Sequence, residues 1–109
     1  MFAGAQVNAD PTQCAVVDTN KAQWEPTTHR GASIKVLERV NDPVKGRETA
    51  LFKLEPGTTL PTETVSERQE IFVLEGSLSD GHGTYTQHTW IWNPPGYTQT
   101  LTSQEGCVV

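Results

Sequence analysis

Short segments rich in β-branched and aromatic residues recur along the chain with Gly, Pro, Asn and Asp between them, and no stretch sustains a helical period. The pattern predicts strands near Ala15 to Asp18, Ser33 to Val40, Glu48 to Leu54, Glu70 to Leu74, Gly83 to Tyr85, Thr89 to Trp92, Tyr97 to Thr102 and from Gly106 onward. Asn41-Asp42-Pro43, Pro56-Gly57, Asp80-Gly81-His82-Gly83 and Pro94-Pro95-Gly96 are the predicted turns. Each supplies the positive or fixed φ that a chain reversal demands. The spacing is that of an all-β sandwich or barrel. Period-two alternation then links positions: if Gln69 points inward, so do Ile71 and Val73, and if Gln99 does, so do Tyr97 and Leu101.

A chain of 109 residues is expected to form one domain, because halving it leaves each core too small to offset its own ordering entropy. Residues 1–23 are expected as an N-terminal arm or edge strand and 24–109 as the domain proper. With 35% hydrophobic and 19% charged residues, the composition is that of a soluble globular protein and argues against disorder. The net charge of −5 is concentrated. Residues 55–80 carry Glu55, Glu63, Glu67, Glu70, Glu75 and Asp80 against Arg68 alone, which leaves the rest of the chain neutral. Such a field repels phosphate backbones and anionic membranes, so neither nucleic acid nor membrane is an expected partner. The acidic run is read either as a solvated rim or as a patch for a basic partner.

The first ten residues have no basic start and no apolar stretch of leader length, so the expected location is cytoplasmic. Cys14 and Cys107 have no metal-type spacing and are expected to be reduced and structural. The serines at 33, 66, 77, 79 and 103 lack a nearby His in sequence, and no Gly-rich phosphate loop occurs. Trp90 and Trp92 share a strand face and suit a core or an interface.

The run Pro-Thr-Glu-Thr-Val-Ser-Glu-Arg-Gln-Glu-Ile-Phe-Val-Leu-Glu-Gly from Pro61 to Gly76, followed by Asn93-Pro94-Pro95-Gly96, resembles the two-part signature of the cupins. In that family the first motif presents His-x-His, an acid four residues later and a strand ending in Gly, and the second presents Pro-x-Gly and a further His. The resemblance places Glu63 and Val65 at the first two imidazoles, Gln69 at the acid and Gln99 at the last His. No imidazole remains at any of them.

The text Gln69 to Gly76, Asp80 to Tyr85 and Asn93 to Gly96, with Trp24-x-Pro26, Arg47 to Leu60 and Gly106-Cys107, is similar to the ChrR-like cupins, the family of an anti-sigma factor's cupin domain. The resemblance implies a jelly-roll β-barrel and a regulatory, transcription-related setting. The anti-sigma family holds its sigma factor through a separate helical, zinc-binding domain, and no segment here resembles one. ChrR-like cupins also run on past Gly106-Cys107-Val108-Val109, so the chain is read as truncated at its last strand, as half of a tandem cupin, or as ending early with an open edge for a second copy. A homodimer is expected on that last reading.

On this frame the candidate ligand-binding residues are Glu63, Val65, Gln69, Gln99 and Tyr97. Transition-metal sites draw on imidazole and thiolate, Val65 has no lone pair to give, and one carboxylate with two amides makes a poor cage, so no metal or other cofactor is expected. Two readings of the cluster stand: a plug in which Gln69 and Gln99 donate to Glu63, or a pocket for a small molecule. His29, His82 and His88 lie in turns away from the ligand positions. The resulting function is a non-catalytic or ligand-sensing module with a small-molecule or protein partner. The alternative is a metal-dependent enzyme of the dioxygenase kind, which the resemblance also covers.

Overall fold

The computed structural model describes residues 4–109. Twelve strands and no helix form among them: β1 Glu25–Pro26, β2 Ala32–Val40, β3 Arg47–Leu54, β4 Thr58–Thr59, β5 Glu63–Thr64, β6 Gln69–Phe72, β7 Glu75–Ser79, β8 Thr84–Thr86, β9 Trp90–Asn93, β10 Thr98–Gln99, β11 Thr102–Ser103 and β12 Cys107–Val108. The all-β expectation is met. The chain divides into two compact units, one of residues up to Glu25 with Ile34–Leu51, the other of Pro26–Ser33 with Phe52–Val109.

In the first unit, β2 and β3 are joined by a turn capped by one carboxylate: Asp42 Oδ1 accepts from the amides of Val44 and Lys45, each at 2.8 Å. Those amide bonds stabilise the charged form and hold Asp42 below the usual carboxylate range, Lys45 giving the larger share. Across the hairpin Arg39 Nε meets Glu48 Oε2 and Arg47 Nε meets Glu38 Oε1, both at 2.7 Å. Val7 exchanges backbone hydrogen bonds with Arg39. The strand expected at Ala15 to Asp18 is not formed, and Cys14, Ala15, Val16 and Val17 are exposed. Its β-branched residues have intrinsic preference but no ladder partner, and sheet propensity expresses little beyond such pairing. Cys14 is accordingly not structural, whereas Cys107 is buried.

In the second unit the spatial order is the end of β3, β12, β7, β11 and β4, with β8 also on β7, while β5 pairs β10 and β6 pairs β9. Cys107 lies opposite both Leu54 and Gly76, so β12 is an interior strand and does not supply the open edge that one of the three readings called for. The core is Ala32, Leu54, Val73, Leu78 and Cys107, with Leu60, Ile71, Tyr85, Leu101 and Val109 packed against it. Burying a side chain such as Leu78 or Val73 is worth about 1.5–3 kcal/mol.

Gly76 explains a second departure. Its φ is +74°, and a Cβ there would overlap the carbonyl oxygen of Gly106. The residue that ends a motif in the sequence pairs Cys107 of β12, and the chain runs through it as β7, which the pattern does not predict. The segment Tyr97 to Thr102 divides into β10 and β11, because Thr100 donates its amide to Asp80 O and Leu101 O accepts from Leu60.

Candidate functional site

Two short ladders position the buried amides. In β5–β10 Gln99 is directly opposite Glu63, and in β6–β9 Gln69 is directly opposite Asn93. Gln99 Nε2 donates to Glu63 Oε1 at 3.1 Å and to Gln69 Oε1 at 3.0 Å. Asn93 Nδ2 donates to Gln69 Oε1 at 3.0 Å and to Gln99 Oε1 at 3.2 Å. Gln99 is 1% and Asn93 3% exposed, while Glu63 faces solvent.

The carboxylate fixes the polarity of the whole set. An ionised Glu63 can only accept, so Gln99 must turn its amide nitrogen toward it. Gln99 Oε1 then faces Asn93, whose nitrogen serves two acceptors, and Gln69 must present oxygen to both neighbours. Gln69 Nε2 and the second Glu63 oxygen make no hydrogen bond among the described residues, leaving one donor and one acceptor at the edge of the network.

This arrangement does not suit a transition metal. The nitrogen of Gln99 directs its hydrogens at the centre, Val65 offers nothing, and only Glu63 brings charge. Among the described residues no three of His, Cys, Asp and Glu stand close enough to hold an ion. His29 and His82 are exposed, and His88 stacks on Phe72 at 6.3 Å between ring centres.

Of the five sequence candidates, Glu63, Gln69 and Gln99 come together by hydrogen bonds, Tyr97 turns its hydroxyl to another carboxylate, and Val65 has no polar side-chain group to join them. Val65 is buried and binds the turn before β10 by backbone, donating to Tyr97 O at 2.8 Å and accepting from Gly96 at 2.7 Å. Tyr97 belongs to a second cluster. Its hydroxyl donates to Asp80 Oδ2 at 3.1 Å, Tyr85 donates to the same carboxylate at 3.2 Å, and the amides of His82 and Gly83 donate to Oδ1 at 2.9 and 3.0 Å. Asp80 is only 2% exposed. Burial alone would raise its pKa, but the bonds from His82, Tyr97, Gly83 and Tyr85 together outweigh it and keep the carboxyl below its ordinary range. Burial, reinforced by the Asp80 charge, pushes both tyrosine hydroxyls up. His82 Nε2 also donates to Thr98 O at 3.2 Å, so the cluster grips β10 beside Gln99.

Asn93 escapes sequence reasoning because the residue before Pro-Pro-Gly reads as a turn. Alternation along β9 was the available signal: Trp90 and Trp92 are exposed, so Ile91 and Asn93 face the other way. A separate cavity of about 390 Å³ lies in the first unit, lined by Gln6, Asn41, Asp42, Lys45 and Arg47 among others. Asn41 Oδ1 is buried and has no hydrogen-bond partner among the described residues. It shares no residue with the network, which remains the candidate site because its polar groups converge.

The fold and the order of these motifs define a cupin. The family model of the ChrR Cupin-like domain matches residues 12–109, and the chain belongs to that family. Among solved structures it is similar to a cupin-like protein of unknown function from Ralstonia eutropha, with a TM-score of 0.78 at 17% identity over 92% of this chain and 66% of that one. It is also similar to a chain in the complex of Rhodobacter sphaeroides SigE with the anti-sigma ChrR (TM-score 0.68, 16% identity, 84% of this chain and 49% of that one). An acetylacetone dioxygenase from Acinetobacter johnsonii matches with a TM-score of 0.72 at 14% identity, over 99% and 76% of the two chains. The chain thus spans a little under two thirds of the Ralstonia protein and about half of the chain in the anti-sigma complex. No curated protein matches it.

Proposed function

We propose that this chain is a non-catalytic regulatory cupin in which a hydrogen-bonded amide network replaces a metal centre. The observation that carries the reading is the double donation by Gln99 Nε2 to Glu63 and Gln69, which fills the centre with N–H groups where a cation would need lone pairs. The open donor on Gln69 and the open acceptor on Glu63 suit a small neutral ligand carrying one acceptor and one donor, and such a ligand would make the module a sensor. A regulatory role in the cytoplasm, acting through a protein partner, is supported by family membership and by the fold shared with the anti-sigma complex. Pairing of two copies would use a surface other than β12.

Elemental analysis of protein purified without chelator tests the first part: substoichiometric iron, zinc and nickel after dialysis are expected. One equivalent retained would favour the dioxygenase-like reading. Thermal-shift screening against small amides and polyols tests the second, with a stabilising compound expected to lose its effect in Gln99→Leu.

A further inference from the structure

The β6–β9 ladder has two unlike faces. Gln69, Ile71, Ile91 and Asn93 alternate with Glu70, Phe72, Trp90 and Trp92. Ile71 packs on the core and Asn93 is buried, so the second set is turned outward. Trp90 is 60%, Trp92 45% and Phe72 44% exposed. Phe72 lies directly across from Trp90, and Glu70 directly across from Trp92.

The core does not explain this surface. Three large aromatic side chains on two adjoining four-residue strands form an apolar face, and they are the exposed aromatic residues among the large exposed hydrophobics of the described residues. Indole rings so placed are the usual anchors of a contact. Their π-faces attract cations, yet among the described residues no cation of this chain stands over Trp90 or Trp92, the observed cation–ring contact being Lys35 over Trp24 in the first unit.

Charge selects the occupant. Glu70 is on the same face as the rings, Glu67 and Glu75 flank the strand in sequence, and the 55–80 stretch is net acidic with Arg68 its one cation. A second copy docked through this face would bring the same net-acidic stretch against itself, and like charges brought together at an interface disfavour the complex. A guanidinium can stack on an indole while giving paired hydrogen bonds to a neighbouring carboxylate, which an ammonium cannot match.

We infer that the outer face of β6 and β9 is a docking surface for an arginine-bearing basic segment of another protein, with Trp90 and Trp92 as stacking platform, Phe72 with the His88 ring stacked on it as the platform's edge, and Glu70 as the charge partner. This assigns a surface to the proposed protein partner. It does not depend on the interior network binding anything.

The test is titration of the full chain with an amidated peptide of alternating Arg and Ser, followed by tryptophan fluorescence and calorimetry. Lys-Ser and Glu-Ser peptides serve as comparisons. Saturable binding by the Arg peptide is expected, weaker for Lys, absent for Glu and diminished by salt. Trp92→Ala and Glu70→Lys should each weaken it about two- to fivefold, a size consistent with loss of one exposed cation–π or ion-pair contact. Both residues are exposed, and unchanged circular dichroism of the variants checks that they fold. No binding of the Arg peptide at millimolar concentration would overturn the proposal, as would binding unchanged in both variants. Self-association that Trp92→Ala abolishes would also overturn it, identifying a second copy as the occupant.

Discussion

Tyr97 donates its hydroxyl to Asp80 Oδ2 at 3.1 Å from a position two residues before Gln99, so the strand that carries the buried amide is fastened to a buried carboxylate. Tyr97→Phe removes that donor and leaves the ring in place. Because Tyr85, His82 and Gly83 continue to serve Asp80, a measurable but partial loss of stability is expected. In Tyr85→Phe/Tyr97→Phe the losses should not add, since both hydroxyls serve one carboxylate. Urea denaturation of the single and double variants measures both.

Stability should fall at both ends of the pH scale, and the cluster gives the signs. Asp80 has a folded pKa below its ordinary value of 3.8, so its contribution is present above that value and is lost as pH falls through the lowered one. Asp42 and Asp10, also lowered, add to the same limb, so Asp80→Asn should flatten only part of it. Tyr85 and Tyr97 are raised above 10.0, so their contribution is complete below that value and is lost as pH rises through the higher folded pKa. Denaturation midpoints from pH 3 to 11, for the native chain and for Tyr85→Phe/Tyr97→Phe, test both limbs, and an unchanged alkaline limb would count against the cluster as its source.

Gln99→Glu is nearly isosteric and electrostatically opposite. The new carboxylate would face Glu63 Oε1 and Gln69 Oε1, both acceptors, at a site 1% exposed. A penalty of about 3–5 kcal/mol at neutral pH is expected, that of an uncompensated buried charge. The variant should regain stability relative to the native chain as pH is lowered and the introduced acid protonates. Glu63→Gln should be mild by comparison, because Glu63 is exposed and an amide oxygen can replace its acceptor.

The motif frame brought Glu63, Gln69 and Gln99 to one place because strand pairing and period-two parity are enough to make residues meet across short ladders. Parity holds only inside a strand. Tyr97 lies in the turn before β10, where its amide bonds Pro94 O, and its side chain follows the turn toward Asp80 rather than the alternation of Gln99. Asn93 was hidden by the prolines after it, and Asp80 by the glycines around it, since both types of residue usually satisfy their own turns. Asp80 does so too, through His82 and Gly83, while also accepting the tyrosines, a contact that separation in sequence does not reveal. The false strand at Ala15 to Asp18 has the converse cause: local preference was present and a partner was not.

If the frame is right, restoring the imidazoles should restore metal affinity. Glu63→His/Val65→His/Gln69→Glu/Gln99→His places three imidazoles and a carboxylate on the four aligned positions, a set suited to zinc or iron. Saturable zinc binding that raises the thermal midpoint in proportion to metal concentration is the expected outcome for a folded variant. A folded variant with no more zinc affinity than the native chain would show that the four aligned positions do not face one centre.

Gly76 is the position where the chain's close approach is most sensitive to a single methyl group. At φ +74° an L-residue is strained, and the added Cβ of Gly76→Ala would overlap Gly106 O, a backbone atom that can move only if β12 moves. Cys107 on β12 pairs Leu54 as well as Gly76, so a shift is passed to the buried end of β3. The expected loss is at least about 2 kcal/mol, the sum of left-handed strain and displaced core contacts. By contrast Gly57→Ala, also at positive φ but with open space around its Cβ, carries the conformational strain alone and should cost about 1 kcal/mol. Comparing the two variants by chemical denaturation separates steric overlap from backbone strain, and equal losses would show that β12 yields to the methyl group without resistance.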